Sequence, residues 1–185
     1  MSAVTTLRTR RVYEGKILGL RVDTVQYGDA PSVEREIVEH PGSVVVVPLT
    51  DSGTVLLVRQ WRQPAGESLL EVPAGTMDPG DGSPEDTAQR ELREEIGHRA
   101  ATLAPLSSFW VAPGWCTEYM HAYVATGLAP DSLPQDVDED ITVDERPLSE
   151  VPDLIRSGEI RDAKSIAALL MTLHLYDVLP AARRA

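Results

Sequence analysis

The sequence predicts an α+β fold: a mixed β-sheet with helices packed on it, and a separate small sheet in the first 40 residues. Three observations carry this reading. Strand-like runs dominate the first half of the chain and recur in its middle. Three helical segments are interspersed without the regular β-α alternation of a doubly wound sheet. A Pro41-Gly42 break sets the first stretch apart from the rest.

Residues 12–25 and 32–39 are rich in strand formers and flank a turn-like Tyr27-Gly28-Asp29-Ala30-Pro31. Residues 43–49 form a nearly continuous apolar run, as expected of a strand buried on both faces, and 54–61 form a second. Asp51-Ser52-Gly53 between them is a hairpin signal. Further strands are expected at 69–72, 104–111, 120–126 and 141–144. The first helix is predicted over 84–96, with Ser83 as N-cap, Pro84 at the first helical position, Asp86 completing a capping box and Gly97 stopping it. The second covers 149–157 and ends at Gly158. The third covers 163–179, where Ile166, Leu169, Leu170, Leu173 and Tyr176 recur at helical spacing before Pro180. The expected organisation is a sheet subdomain over 1–42, a main domain over 43–180 and a tail over 181–185. A small sheet is marginal alone, so residues 1–42 need a partner surface such as a second subunit.

A hydrophobic content of 42% supports a sizeable core. The formal net charge is −12, and the one basic cluster is Arg183-Arg184, so no footprint for nucleic acid is present. Apolar runs such as Val44-Val45-Val46-Val47 are too short to span a bilayer, which argues against a membrane role. Residues 1–11 have no signal-like apolar stretch, and Cys116 is the only cysteine. A cytoplasmic protein is expected.

The helix over 84–96 carries the chemistry. Ala88, Leu92 and Ile96 give it a buried stripe, while Glu91 and Glu95 share another face with Glu94 nearby. Like charges at i,i+4 repel by roughly 0.2–0.5 kcal/mol. In the last turn, against the helix dipole, each acid costs roughly 0.3–1 kcal/mol more. A divalent cation reverses both signs. The competing reading is a solvated face whose acids are offset by Arg90 and Arg93. The histidines (His40, His98, His121, His174) lack metal-ligand spacing, so convergent carboxylates point to Mg²⁺ or Mn²⁺ ahead of zinc. Upstream, 71–82 reads as a strand end and a glycine-rich loop. Gly75 allows close backbone approach there, so the Ala74 or Gly75 carbonyl is a candidate ligand. An ordinary Gly/Pro turn is the alternative.

Gly75 followed by Arg90-Glu91-Leu92-Arg93-Glu94-Glu95-Ile96-Gly97 resembles the signature of the Nudix hydrolases. The match departs from the family pattern in three places. One extra residue separates Gly75 from Arg90. The family's loop glutamate falls on Asp81 counting forward or on Gly82 counting back. His98 stands where an apolar residue is usual. The resemblance extends from about Tyr13 to Leu175 and is closest to the ADP-ribose pyrophosphatases. It is carried by 35–42, by Val58-Arg59-Gln60-Trp61-Arg62, by Pro113 within 112–118, by Asp138-Glu139-Asp140-Ile141, and by Gly158-Glu159-Ile160 leading to Ser165.

That resemblance implies the Nudix fold, a mixed β-sheet sandwiched between α-helices with an N-terminal antiparallel sheet that exchanges in a homodimer. It also implies Mg²⁺-dependent cleavage of a small-molecule nucleotide sugar, ADP-ribose, to AMP and ribose 5-phosphate. Carried over by motif position, Glu91 and Glu95 hold metal with the Ala74 carbonyl, Glu94 is a further metal ligand or stands behind the ligands, and Arg90 orients the carboxylates. Glu139 is the base or an added ligand, with Val137 standing where relatives often carry a second acid. Arg35 and Glu36 meet the adenine, Arg59 pairs with a phosphate, and Glu118 binds substrate or stands second to Glu139 as the base. The alternatives are another substrate, such as GDP-mannose or a dinucleotide, and a non-catalytic ADP-ribose sensor.

Overall fold

The computed structural model describes residues 3–135 and 140–175, which form ten strands and three α-helices, an α+β architecture as expected. The chain divides into two compact units, Met1–Gly42 with Phe109–Met120, and Ser43–Ser108 with His121–Ala185. Among the described residues no helix is long and apolar enough to cross a membrane.

The first unit is built on an antiparallel sheet, β1 (Val4–Glu14), β2 (Gly19–Tyr27) and β3 (Val33–Glu39), in that order. Here the structure corrects the sequence reading. The single stretch expected over 12–25 is the middle of a hairpin, whose turn is closed by Gly15 N–H donating to the Leu18 carbonyl at 2.8 Å. β1 begins eight residues earlier than expected and is exposed along its whole length, so it carries no one-sided apolar alternation to read. Residues 109–120 return to this unit: Val38 N–H donates to Trp115 O at 2.8 Å and Thr117 N–H to Val38 O at 2.9 Å. Trp110 and Tyr119 meet edge-on with ring centroids 4.9 Å apart.

The second unit contains two sheets. One has the order β10 (Ile141–Pro147), β5 (Thr54–Arg62), β6 (Glu67–Glu71). The other has the order β7 (Ala74–Thr76), β4 (Ser43–Pro48), β9 (Tyr119–Pro130), β8 (His98–Trp110). β4 is buried at every position, as its unbroken apolar run predicts, and both α1 (Pro84–Glu95) and α3 (Ala163–Leu175) pack on it. β7 was not expected. Residues 74–76 read as glycine-rich loop, yet they pair antiparallel with 43–45. β8 starts six residues before the expected 104, immediately after Gly97, whose φ of 68° ends α1. α2 (Val151–Ser157) follows a short 3₁₀ turn over 148–150 and stops at left-handed Gly158. The last residues expected for α3, including Tyr176, lie outside the described residues.

Ala88 and Leu92 of α1, with Ile96 at its C-cap, bury into a cluster with Val44, Val46, Leu56 and Val58. Each fully buried aliphatic side chain contributes about 1.5–3 kcal/mol. This packing fixes the rotation of α1, and therefore which of its glutamates turn inward.

Candidate active site

α1 begins where the sequence places it. Ser83 Oγ accepts from Asp86 N–H at 3.2 Å and donates to the Asp86 carboxylate at 2.8 Å. Tyr123 adds a second tether, its hydroxyl donating to Glu85 at 2.9 Å. The helix then runs Arg90-Glu91-Leu92-Arg93-Glu94-Glu95 beside β7. Glu91 and Glu95 are 7% and 2% exposed, which removes the reading of a solvated acidic face. Arg93 does not offset them, because its guanidinium donates to Asp131 at 3.2 Å.

Arg90 is the cation of the cluster. Its Nη1 lies 2.8 Å from both Glu91 Oε1 and Glu94 Oε2, and its Nη2 donates to Thr76 O at 3.2 Å and Asp81 at 3.3 Å. Burial works against its charge, but Glu91, Asp81 and Glu94 together raise its pKa above the ordinary arginine value. Glu95 turns the other way and accepts from Ala74 N–H at 3.3 Å. Gly75 faces Glu91 so closely that a Cβ there would sit 1.8 Å from Oε1, so any larger residue displaces the Glu91 carboxylate.

Asp81, whose role the motif count left between two positions, is a clamp for the loop. Its Oδ2 accepts from Asp78 N–H at 3.0 Å, Thr87 Oγ1 at 2.7 Å and Arg90 at 3.3 Å. Burial alone would push its pKa up, yet these donors hold it below the usual carboxylate range. A depressed folded-state value contributes stability that is present above the unfolded carboxylate pKa of about 3.9 and lost as pH falls through the folded one. Asp81→Asn is expected to cost about 1–3 kcal/mol at neutral pH and to flatten the fall in urea midpoint below about pH 4. An unchanged acid limb in the variant would place that titration elsewhere.

A second polar centre lies at the end of β6, and sequence reasoning missed it. Glu71 is 1% exposed. Its carboxylate receives Arg62 Nε at 3.2 and 3.1 Å, Arg62 Nη2 at 2.6 Å and Lys164 Nζ at 2.6 Å. Removing one partner of such a buried pair typically costs 3–5 kcal/mol. Neither periodicity nor spacing marks it, because Glu71 and Lys164 are 93 residues apart.

Of the residues singled out from sequence, the structure brings Ala74, Arg90, Glu91, Glu94 and Glu95 together. Arg59 belongs to another cluster, with Asp144 and Glu159 each at 3.4 Å, where Arg146 also pairs with both acids. Arg35 and Glu36 are neighbours on β3 and therefore face opposite sides of its sheet. Arg35 stands over the Tyr27 ring at 5.8 Å and lines a cavity of about 420 Å³ with Trp110, Trp115 and Ile37. Glu118 lies in the same unit, its carbonyl accepting from Val111 N–H at 3.1 Å. Glu139 falls outside the described residues.

Among the described residues no three His, Cys, Asp or Glu side chains converge closely enough to form a finished metal cage, because Arg90 lies between Glu91 and Glu94. The donors nevertheless fit a hard divalent cation. Three carboxylates against one guanidinium leave an excess of negative charge at the negative end of a helix, and the ligating atoms are all oxygen. The space over Gly75 lets the Glu91 carboxylate stand against the backbone of β7.

The NUDIX domain family matches residues 39–169. The chain is 35% identical to the ADP-ribose pyrophosphatase of Bacillus subtilis (strain 168) over 178 residues, covering 95% of each chain. It is 37% identical to the methanol dehydrogenase activator of Bacillus methanolicus over 176 residues, 94% of each. It is 34% identical to a GDP-mannose pyrophosphatase of Yersinia enterocolitica over 137 residues, 69% of this chain and 71% of that one. Among solved structures it is similar to an ADP compounds hydrolase, with a TM-score of 0.84, 25% identity and 95% of both chains covered.

Proposed function

The chain belongs to the Nudix family of hydrolases, and from that premise we propose that it cleaves the diphosphate of ADP-ribose to AMP and ribose 5-phosphate with Mg²⁺, for which Mn²⁺ can substitute. The observation that carries the reading is the pair of buried carboxylates, Glu91 and Glu95, turned to the backbone of 74–75. With Glu94 and the Ala74 carbonyl they form the ligand set. The cation, when bound, polarises the phosphoryl oxygens and lowers the pKa of the attacking water.

The protein's own residues do the rest. Arg90 holds Glu91 and Glu94 in place through charge-assisted bonds at 2.8 Å. Glu139, in the acidic stretch of sequence 136–140, takes the proton from water. Among the described residues Arg59 makes only long 3.4 Å contacts, to Asp144 and Glu159, so exchanging them for a bidentate phosphate contact is favourable. Arg35, with Tyr27 and the tryptophans of its cavity, offers a planar cationic and aromatic surface to a base. Glu36 and Glu118 supply acceptors for base and sugar hydroxyls. Exposed Val4, Leu7, Val12 and Tyr13 on β1 fit burial against a second copy in a cytoplasmic homodimer, which a solution mass of 20.2 kDa would refute.

The similarity to a GDP-mannose pyrophosphatase supports a second reading at the same site, with GDP-mannose as substrate. A sensor without catalysis is disfavoured, because all three glutamates are retained and two are buried facing β7. The deciding experiment is a panel of nucleotide sugars and dinucleotides with Mg²⁺, with products identified. ADP-ribose is expected to give the highest kcat/KM, and a preference for GDP-mannose would replace it. In the same panel Glu139→Gln is expected to lower kcat with KM nearly unchanged, and a wild-type rate there would move the base elsewhere.

A further inference from the structure

Every residue from Glu71 to Gly75 is pinned by a contact to another element, and the first pin lies away from the acidic helix. We infer that Glu71, held by Lys164 and Arg62, is a positioning residue that fixes where the Ala74 carbonyl stands for the reaction. The inference rests on the metal site proposed above.

Glu71 occupies the strand position opposite Val58, and both are 1% exposed. A hydrophobic side chain there would serve stability as well or better, because a buried ion pair seldom improves on a well-packed apolar replacement. The charges are instead arranged to hold a direction. Residues 58, 60 and 62 share a face with their partners 71, 69 and 67, so Arg62 lies back over the Gln60/Leu69 pair to meet Glu71. From the other side the first turn of α3 closes on the same corner. Lys164 donates to Glu71 at 2.6 Å and to Asp162 at 2.9 Å. Asp162 also accepts from Ser165 N–H at 3.0 Å. Fully buried Ser165 accepts from Val72 N–H at 2.9 Å.

The next residues pass the constraint on. Pro73 O accepts from Val46 N–H at 2.9 Å, and Ala74 N–H donates to Glu95. Only Val72 and Pro73 separate Glu71 from Ala74. Val72 is fully buried and Pro73 has a fixed φ, so a shift at Glu71 reaches Ala74 with little room to relax. Glu71 therefore stands behind the proposed ligand as an outer partner stands behind a ligating histidine.

The test uses the intact protein and titrates Mn²⁺ by electron paramagnetic resonance without substrate, with kcat and KM measured alongside. Lys164→Met removes the ammonium and keeps the stem, and Lys164→Arg restores the charge. Lys164→Met is expected to weaken Mn²⁺ binding about 10-fold or more, the usual scale for partners behind a ligand, and to lower kcat, with Lys164→Arg regaining most of both. Wild-type Mn²⁺ affinity and kcat in Lys164→Met, with only a lower melting temperature, would overturn the inference. Ser165→Ala frees only Val72 N–H and carries the same expectation in smaller measure, so it decides the matter if Lys164→Met does not fold. Glu95→Gln run in parallel separates the two ideas. Unchanged Mn²⁺ binding in Glu95→Gln removes the metal site itself, whereas its loss there beside wild-type binding in Lys164→Met and Ser165→Ala removes only the role of Glu71.

Discussion

Glu95→Gln is expected to lower kcat on the order of 10³-fold, about 4 kcal/mol of barrier, while the protein without metal melts no lower than wild type. The two halves have one cause. Glu95 is 2% exposed, and its Oε2 accepts from Ala74 N–H at 3.3 Å, a bond the amide oxygen of glutamine can keep. What the substitution removes is charge. Glu91 and Glu94 share Arg90, and Glu95 adds a further negative charge to the same acidic helix end, so removing that charge relieves repulsion in the metal-free fold. The wild type is expected to melt higher as Mg²⁺ is added, since a ligand bound only by the folded state stabilises it by mass action, and the variant to lose most of that rise. Thermal melts with and without Mg²⁺, beside single-turnover rates, check both. Equal wild-type turnover with and without chelator would sink the whole scheme.

Gly75→Ala is expected to lower activity about 10²-fold with a smaller loss of stability. A Cβ at this position would lie 1.8 Å from Glu91 Oε1 and 2.0 Å from its carboxylate carbon. The obstacle is the far end of a flexible side chain, so Glu91 swings aside and the backbone of β7 stays. A displacement of about 1 Å at a reacting centre is enough for a loss of that size. Gly53→Ala is the matched control. Its φ of 81° strains any other residue, yet nothing lies within 4 Å of an added Cβ. That variant should lose stability and keep its rate. If Gly75→Ala instead unfolds the protein with the rate per folded molecule intact, the close approach to Glu91 serves packing alone.

The legible parts of this protein are those whose signal is local. The Ser83–Pro84–Asp86 start of α1, its stop at Gly97, the apolar run of β4 and the misplaced acids at 91, 94 and 95 could all be read from neighbours in sequence, because a helix or strand period brings them together. The hidden parts depend on partners far along the chain. β7 is three residues long and exists because β4 offers it an edge. β1 is exposed on both faces and so shows no alternation. Arg62, in the sequence only part of a strand motif, is the arginine committed to a buried carboxylate. Nothing local ties Glu71 to Lys164, since most acids and lysines are exposed. The convergence of three donors on one oxygen of Asp81 was likewise beyond the reach of spacing.

The corner at Glu71 also orders events in time. Lys164 and Ser165 reach Glu71 and Val72 across 93 residues of chain. Closing a loop of that length costs roughly 4 kcal/mol of chain entropy, from (3/2)RT ln n. Local structure such as α1 bears no such cost and can form early. A polypeptide emerging from the ribosome therefore carries all three glutamates, Arg90 and Gly75 well before it can hold them in register. On the role inferred for Glu71, the site becomes whole only when α3 docks, so activity would report that docking.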